Sequence, residues 1–93
     1  MRRFNAGDKL IRNSEILSTE LDQETILMSI DAGAYYGLAG TAQWIWEKLE
    51  SPITYSSLVD ALLKEYDTAP EACAADLQGF LEGMEREGLL HVE

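Results

Sequence analysis

The sequence TILMSIDAGAYYGL, residues 25–38, has the pattern of two β-strands joined by a tight turn. In its first half every second residue from Ile26 to Ile30 is apolar, which places these side chains on one face of a strand. The turn is predicted to end at Gly33, because glycine adopts positive φ angles at little cost. Residues 34–38, AYYGL, then form the second strand of the hairpin.

A further strand is predicted upstream, over residues 16–21. Asp22-Gln23 follows it and provides a short turn into the hairpin. Connections of this length join antiparallel neighbours, so the sequence predicts a three-stranded antiparallel meander.

From Thr41 onward the apolar residues recur with a period of 3.6, which predicts three helices. Thr41 and Thr54 are expected to be the N-caps of the first two helices. Residues 68–71, TAPE, have the form of a capping box for the third. Gly88 is expected to adopt the left-handed conformation that commonly ends a helix. Residues 89–92 are predicted to form one final short strand.

The predicted fold class is α+β. The order of elements indicates a winged helix-turn-helix-like domain, in which a three-stranded antiparallel sheet packs on three helices. A chain of 93 residues is long enough for one small domain, so residues 1–93 are assigned to a single domain. Residues 1–14 are expected to be a flexible or extended N-terminal segment.

The charge restricts the class of partner. The formal net charge is -10, with 17 acidic and 7 basic residues. Nucleic-acid binding needs basic side chains to neutralise phosphates, so we expect no nucleic-acid partner. We also expect no membrane segment, because no apolar run approaches the length of a span. The single cysteine, Cys73, excludes an internal disulfide, and we expect a cytoplasmic protein.

Side chains for catalysis or metal binding are few. The only histidine, His91, lies close to the C-terminus, and Cys73 lies on the apolar stripe of the third helix. One cysteine and one histidine do not make a structural zinc site. Most acidic residues fall on polar helix faces, as expected for solvated side chains. The sequence therefore predicts no catalytic residue, no metal site and no cofactor.

Two features suggest a binding surface instead. An edge strand at residues 34–38 would offer unpaired backbone groups to another chain, and Tyr35 and Tyr36 would be anchors beside it. The alternative is that one tyrosine belongs to the core and the other is incidental. In the third helix small residues recur from Ala72 to Gly83. They would admit either a bound peptide or a neighbouring helix of the same domain.

Four segments together resemble the PqqD-like family, the recognition elements for ribosomally made, modified peptides. They are residues 34–38, 42–49, 58–62 and 76–90. Their shared features are a Tyr-x-Leu strand, an Ile-Trp pair in the first helix, and a third helix DLxxFLxxM that ends in EGLL. The resemblance covers about residues 15–93, and the order and spacing of the motifs make it specific.

Within the family the chain is most similar to the stand-alone leader-binding half of the split lasso-peptide leader peptidase. The resemblance implies a non-catalytic subunit that binds the leader of a precursor peptide by strand addition. It also implies presentation of that leader to a separate cysteine protease and to the lasso cyclase. The residues implied for peptide binding are Tyr35, Tyr36, Gly37 and Leu38 on the strand, and Asp76, Phe80, Gly83 and Met84 on the third helix.

Two other functions remain open from the sequence. The predicted helix pair is compatible with a winged-helix DNA-binding regulator, although the net charge opposes it. The PqqD-like family also includes peptide chaperones for radical-SAM or cyclodehydratase enzymes. The motifs do not distinguish these chaperones from the lasso branch.

Overall fold

The computed structural model describes residues 4–66 and 70–93. For residues 70–72 it describes the backbone but not the side chains. The strands in these ranges are β1 (Lys9–Arg12), β2 (Leu17–Leu21), β3 (Glu24–Ser29), β4 (Ala34–Ala39), β5 (Ile53–Thr54) and β6 (Leu90–Val92). The helices are α1 (Thr41–Lys48), α2 (Tyr55–Glu65) and α3 (Pro70–Arg86). The α+β class, the three helices and the final short strand are confirmed.

The predicted meander is present as a three-stranded antiparallel sheet in the order β2-β3-β4, here called the wing sheet. Asp22 and Gln23 form the first turn with positive φ angles of 51° and 68°. The second turn ends at Gly33, whose φ is 63°, and Gly33 N–H donates to the Ile30 carbonyl at 3.2 Å. Both predicted turns are therefore confirmed.

The buried face of the wing sheet is not the one that contains Ile26 and Met28. In β3 the buried residues are Thr25, Leu27 and Ser29, while Ile26 and Met28 are half-exposed on the outer face. The polar members of the inner face have hydrogen-bonding partners. Thr25 Oγ1 accepts from Gln43 Nε2 at 2.9 Å, and Ser29 Oγ accepts from the Ala32 N–H at 3.3 Å.

A second sheet, in the order β5-β1-β6, was not predicted. Its central strand β1 lies within the N-terminal segment of residues 1–14. Leu10 of β1 is opposite both Ile53 and Val92, and it is fully buried. This sheet joins the beginning, middle and end of the described chain.

The first two helices differ in how they begin. The side chain of Thr54 caps α2 by accepting a hydrogen bond from the Ser57 N–H, as predicted. The prediction of Thr41 as N-cap is wrong: the N-cap of α1 is Gly40, with a φ of 59°, and Thr41 is the first helical residue. The capping box at residues 68–71 lies mainly outside the described residues. Gly88 follows α3 with a φ of 76°, as predicted.

The hydrophobic core lies between the helices and both sheets. Its largest fully buried side chains are Trp46, Leu10, Leu27, Leu49, Leu58 and Leu81. The N-terminal segment also enters the core, since Phe4 is buried and stacks on Tyr55 with 6.3 Å between ring centroids. The side-chain amide of Gln78 in α3 holds the backbone of Phe4 by two hydrogen bonds of 2.9 Å. This anchorage attaches the N-terminal segment to one side of α3.

Candidate functional site

The edge of the wing sheet formed by β4 is open. On one side β4 pairs with β3, and among the described residues no strand pairs with its other side. A strand in this position presents N–H and C=O groups that no neighbouring strand satisfies. These groups belong to alternate residues of β4.

The turn between β2 and β3 determines which residues these are. Because Asp22 and Gln23 are the two central residues of a β-turn, Leu21 and Glu24 form a hydrogen-bonded pair. Bonded and non-bonded pairs alternate along an antiparallel ladder. Glu24 and every second residue after it therefore bond to β2, and the residues between them bond to β4.

Three residues of β4 consequently direct their backbone groups to the open edge. The hydrogen-bonded pairs between β3 and β4 are Thr25–Leu38, Leu27–Tyr36 and Ser29–Ala34. The remaining residues, Tyr35, Gly37 and Ala39, have N–H and C=O groups that point away from β3. They form a regular array of donors and acceptors along one side of the strand.

A groove lies between β4 and α3, beside this open edge. Its volume is about 380 Å³. The residues that line it are Tyr36, Leu38, Gly79, Phe80, Gly83, Met84, Arg86, Glu87 and Leu89. The side chains from β4 and most of those from α3 are apolar, and charged side chains occur only at the C-terminal end of α3. A peptide strand added to β4 would therefore place alternate side chains in an apolar groove.

Tyr36 connects the two walls of the groove. Its hydroxyl donates to Glu87 Oε2 at 3.4 Å. Partial burial and the nearby Glu87 carboxylate raise the pKa of the Tyr36 hydroxyl above its usual value.

The glycines of α3 face open space. A Cβ atom at Gly79 would meet no described atom within 4 Å, and one at Gly83 would lie 3.7 Å from Arg86 Nη2. Close packing against a neighbouring helix therefore does not explain Gly79. Each helix-interior glycine costs about 1 kcal/mol relative to alanine. Both glycines line the groove, where they leave it clear of side-chain atoms.

A second cavity, here called the distal pocket, follows the groove beyond the end of β4. Its volume is about 390 Å³. The residues that line it are Thr41, Ala42, Ile45, Leu62, Tyr66, Cys73, Asp76, Leu77 and Phe80. Phe80 lines both cavities, so the two are adjacent.

The eight residues predicted for peptide binding divide into three sets. The groove brings together five of them, Tyr36, Leu38, Phe80, Gly83 and Met84. Tyr35 and Gly37 lie on the outer face of β4, and the Tyr35 side chain is 70% exposed. Asp76 is in the distal pocket and not in the groove. Tyr35 and Gly37 therefore direct only backbone groups to the open edge.

Sequence reasoning did not assign four groove residues, Gly79, Arg86, Glu87 and Leu89. Gly79 had a detectable signal, since it is part of the small-residue series in the third helix. Arg86 and Glu87 are charged residues at a helix end, and nothing in the sequence distinguishes them from other solvated side chains.

The structure agrees with the interpretation of Cys73 as a buried apolar side chain, and His91 is exposed on β6. Among the described residues no group of three or more His, Cys, Asp or Glu side chains is arranged to hold a metal ion. Within residues 4–66 and 70–93, no helix has the length and hydropathy needed to cross a membrane.

Comparisons with known proteins agree with this geometry. The model of the family described as coenzyme PQQ synthesis protein D (PqqD) matches residues 24–90. The solved structure of TbiB1 in complex with the TbiA(beta) leader peptide is 28% identical, with a TM-score of 0.80 over 87% of this chain and 94% of that chain. A lasso peptide synthetase B1 complexed with the leader peptide has the same fold at 20% identity, with a TM-score of 0.77 over 88% and 96%. No curated protein matches the chain.

Proposed function

This chain belongs to the PqqD family, and we propose that it binds the leader region of a ribosomally synthesised precursor peptide by adding it as a strand to β4. The observation that carries the proposal is the open edge of β4 beside the groove. Main-chain hydrogen bonds to Tyr35, Gly37 and Ala39 would supply affinity, and the groove would supply selectivity. The peptide-binding residues are the eight assigned by the resemblance, with Gly79 added.

The added strand would contact the domain through both its backbone and its side chains. Its N–H and C=O groups would bond to β4, and every second side chain would enter the groove against Leu38, Phe80 and Met84. Met84 is almost fully buried, so it forms the floor, whereas Phe80 is half-buried and forms part of the wall. The small residues Gly79 and Gly83 would let the guest backbone approach α3.

A solved relative supports a leader peptide as the guest. The structure of TbiB1 contains the TbiA(beta) leader peptide, and 94% of that chain aligns with this one. The net charge of -10 favours a basic or neutral peptide over a nucleic acid. We place the reaction in the cytoplasm, where ribosomes make the precursor.

The function proposed for the complex is presentation. The domain would hold the leader while a separate cysteine peptidase removes it and the lasso cyclase closes the ring. The domain itself would contribute no catalytic residue. A peptide chaperone for a radical-SAM or cyclodehydratase enzyme would use the same edge, and the identity of the neighbouring genes distinguishes the two pathways.

Proline substitution at Gly37 tests the proposal. The Gly37 N–H points away from β3, so proline at this position removes a donor for the guest and leaves the β3–β4 ladder intact. The matched control is Gly37→Ala, which keeps the N–H. Its Cβ would lie 3.7 Å from Glu24 Oε1 and 3.9 Å from Ile26 Cδ1, which are ordinary contacts.

The measurement is fluorescence anisotropy with a labelled synthetic peptide that spans the leader encoded beside this chain's gene. We expect a Kd in or below the micromolar range, or about -8 kcal/mol and stronger. Gly37→Pro should weaken binding at least tenfold, and Gly37→Ala should bind within about twofold of the native chain. Equal affinity of a folded Gly37→Pro variant would show that the guest does not pair with this edge.

A further inference from the structure

The distal pocket has an apolar interior and a polar rim. Ile45, Leu62, Cys73 and Leu77 form its floor and are buried. The rim consists of Thr41, Ala42, Tyr66, Asp76 and Phe80, each exposed or half-exposed. A long side chain that lies across the pocket from the groove would therefore contact apolar groups on the floor and polar groups at the rim.

The rim carries negative charge and two aromatic rings. Asp76 is the one charged side chain among the described residues that line the pocket. Tyr66 and Phe80 also line the pocket, and the faces of aromatic rings attract cations. The whole chain has a net charge of -10, so the surrounding field also favours a positive guest.

We propose that the distal pocket binds a cationic side chain, arginine or lysine, of the peptide that pairs with β4. The aliphatic stem would pack on Leu62 and Leu77, and the charged head would bond to the Asp76 carboxylate at the rim. The inference rests on the proposed function for the identity of the guest. The preference of the pocket for a cation is a property of this chain alone.

The direction of the peptide follows from the arrangement of the two cavities. β4 runs from the groove at Tyr36 towards Thr41 at the distal pocket. Antiparallel pairing is the more stable arrangement, and an antiparallel guest runs in the opposite direction to β4. The N-terminal part of the guest therefore lies at the distal pocket. The cationic residue therefore precedes the segment that pairs with β4.

Small probes test the pocket without a peptide. N-butylguanidinium represents the arginine side chain, N-butylurea is its neutral analogue of the same shape, and toluene represents a purely apolar guest. Each is titrated into the ¹⁵N-labelled chain, and amide shifts are followed by NMR. We expect N-butylguanidinium to give saturable shifts at Thr41, Ala42 and Leu77, and to bind about fivefold more tightly than N-butylurea.

Two variants locate the source of the preference. Asp76→Asn removes the charge and should abolish the difference between the two probes. Glu82→Gln is the matched control, because it removes one charge from the same helix at a residue that lines neither cavity. It should leave the fivefold preference intact.

Three results would overturn the proposal: N-butylurea or toluene binding at least as tightly as N-butylguanidinium, the preference persisting in Asp76→Asn, or no probe giving saturable shifts around the pocket. Each of these is independent of Gly37. Failure of strand addition therefore appears in the Gly37→Pro experiment, and failure of the cation site appears in the probe titration.

Discussion

The Tyr36 hydroxyl and the Glu87 carboxylate are joined by a hydrogen bond of 3.4 Å between Oη and Oε2. This bond links β4 to the residue that follows α3, and β4 and α3 form opposite walls of the groove. It lies at an exposed site, so its contribution to folding is small. It is a contact between two residues that both line the groove.

The hydroxyl and the ring of Tyr36 are separable by substitution. Tyr36→Phe should leave the urea unfolding midpoint nearly unchanged, since it removes only an exposed hydrogen bond. It should also keep peptide binding within about threefold, because the ring still lines the groove. Tyr36→Ala removes the ring and should weaken binding about tenfold or more. Urea titrations and anisotropy measure the two effects, and equal affinity losses for both variants would refute this division.

Substitution of Gly79 should not prevent folding, but a large side chain at this position should prevent peptide binding. Gly79→Ala should raise the free energy of unfolding by up to about 1 kcal/mol, because the new Cβ meets no described atom within 4 Å. Gly79→Leu should fold and lose peptide affinity by filling the groove. Ala75→Leu, at an exposed residue of the same helix that lines neither cavity, should bind normally. Loss of affinity in both leucine variants would contradict the assigned location.

Local patterns were sufficient to predict the wing sheet and the helices. The turns at Asp22-Gln23 and Gly33 and the 3.6-residue period after Thr41 depend on neighbouring residues only. The second sheet was missed because Leu10 pairs with Ile53 and Val92, which are far away in sequence. A four-residue strand with such partners leaves no periodic signal.

The face of β3 that contains Ile26 and Met28 is apolar but is not the buried one. Ile26 and Met28 are more apolar than Thr25 and Ser29, yet the second pair is buried. Hydrogen bonds to Gln43 and to the Ala32 N–H satisfy those hydroxyls, and neither partner can be identified from strand periodicity.

The location of Asp76 could not be predicted from the helix pattern either. The α3 stripe places Asp76 with Gly79 and Gly83, but β4 ends before it reaches the level of Asp76. Asp76 therefore belongs to the distal pocket.

The turn between β2 and β3 has room for stabilisation. Asp22 and Gln23 both have positive φ angles, which cost side-chain-bearing residues energy that glycine avoids. Gln23→Gly should raise the free energy of unfolding by about 0.5–1 kcal/mol in a urea titration. Gly33→Ala should have the opposite effect, because Gly33 also has a positive φ of 63°. A neutral result for both variants would mean that these turns impose no backbone strain.

Cys73 should be unreactive in the folded protein. The thiol is buried, with 5% of the residue exposed, and burial together with the Asp76 carboxylate raises its pKa. Native protein at pH 8 should react slowly with a disulfide reagent and rapidly after denaturation. Since the folded pKa lies above the unfolded one, the contribution to stability is complete below the unfolded pKa of about 8.5 and decreases as pH rises above it. Cys73→Ala should remove this part of the pH dependence.

Amide hydrogen exchange tests strand addition at β4 most directly. In the free chain the N–H groups of Tyr36 and Leu38 bond to β3, whereas those of Tyr35, Gly37 and Ala39 face the open edge. Saturating leader peptide should slow exchange at Tyr35, Gly37 and Ala39 by at least tenfold, and it should change Tyr36 and Leu38 much less. Unchanged exchange at these three outward amides in a fully bound complex would contradict the account.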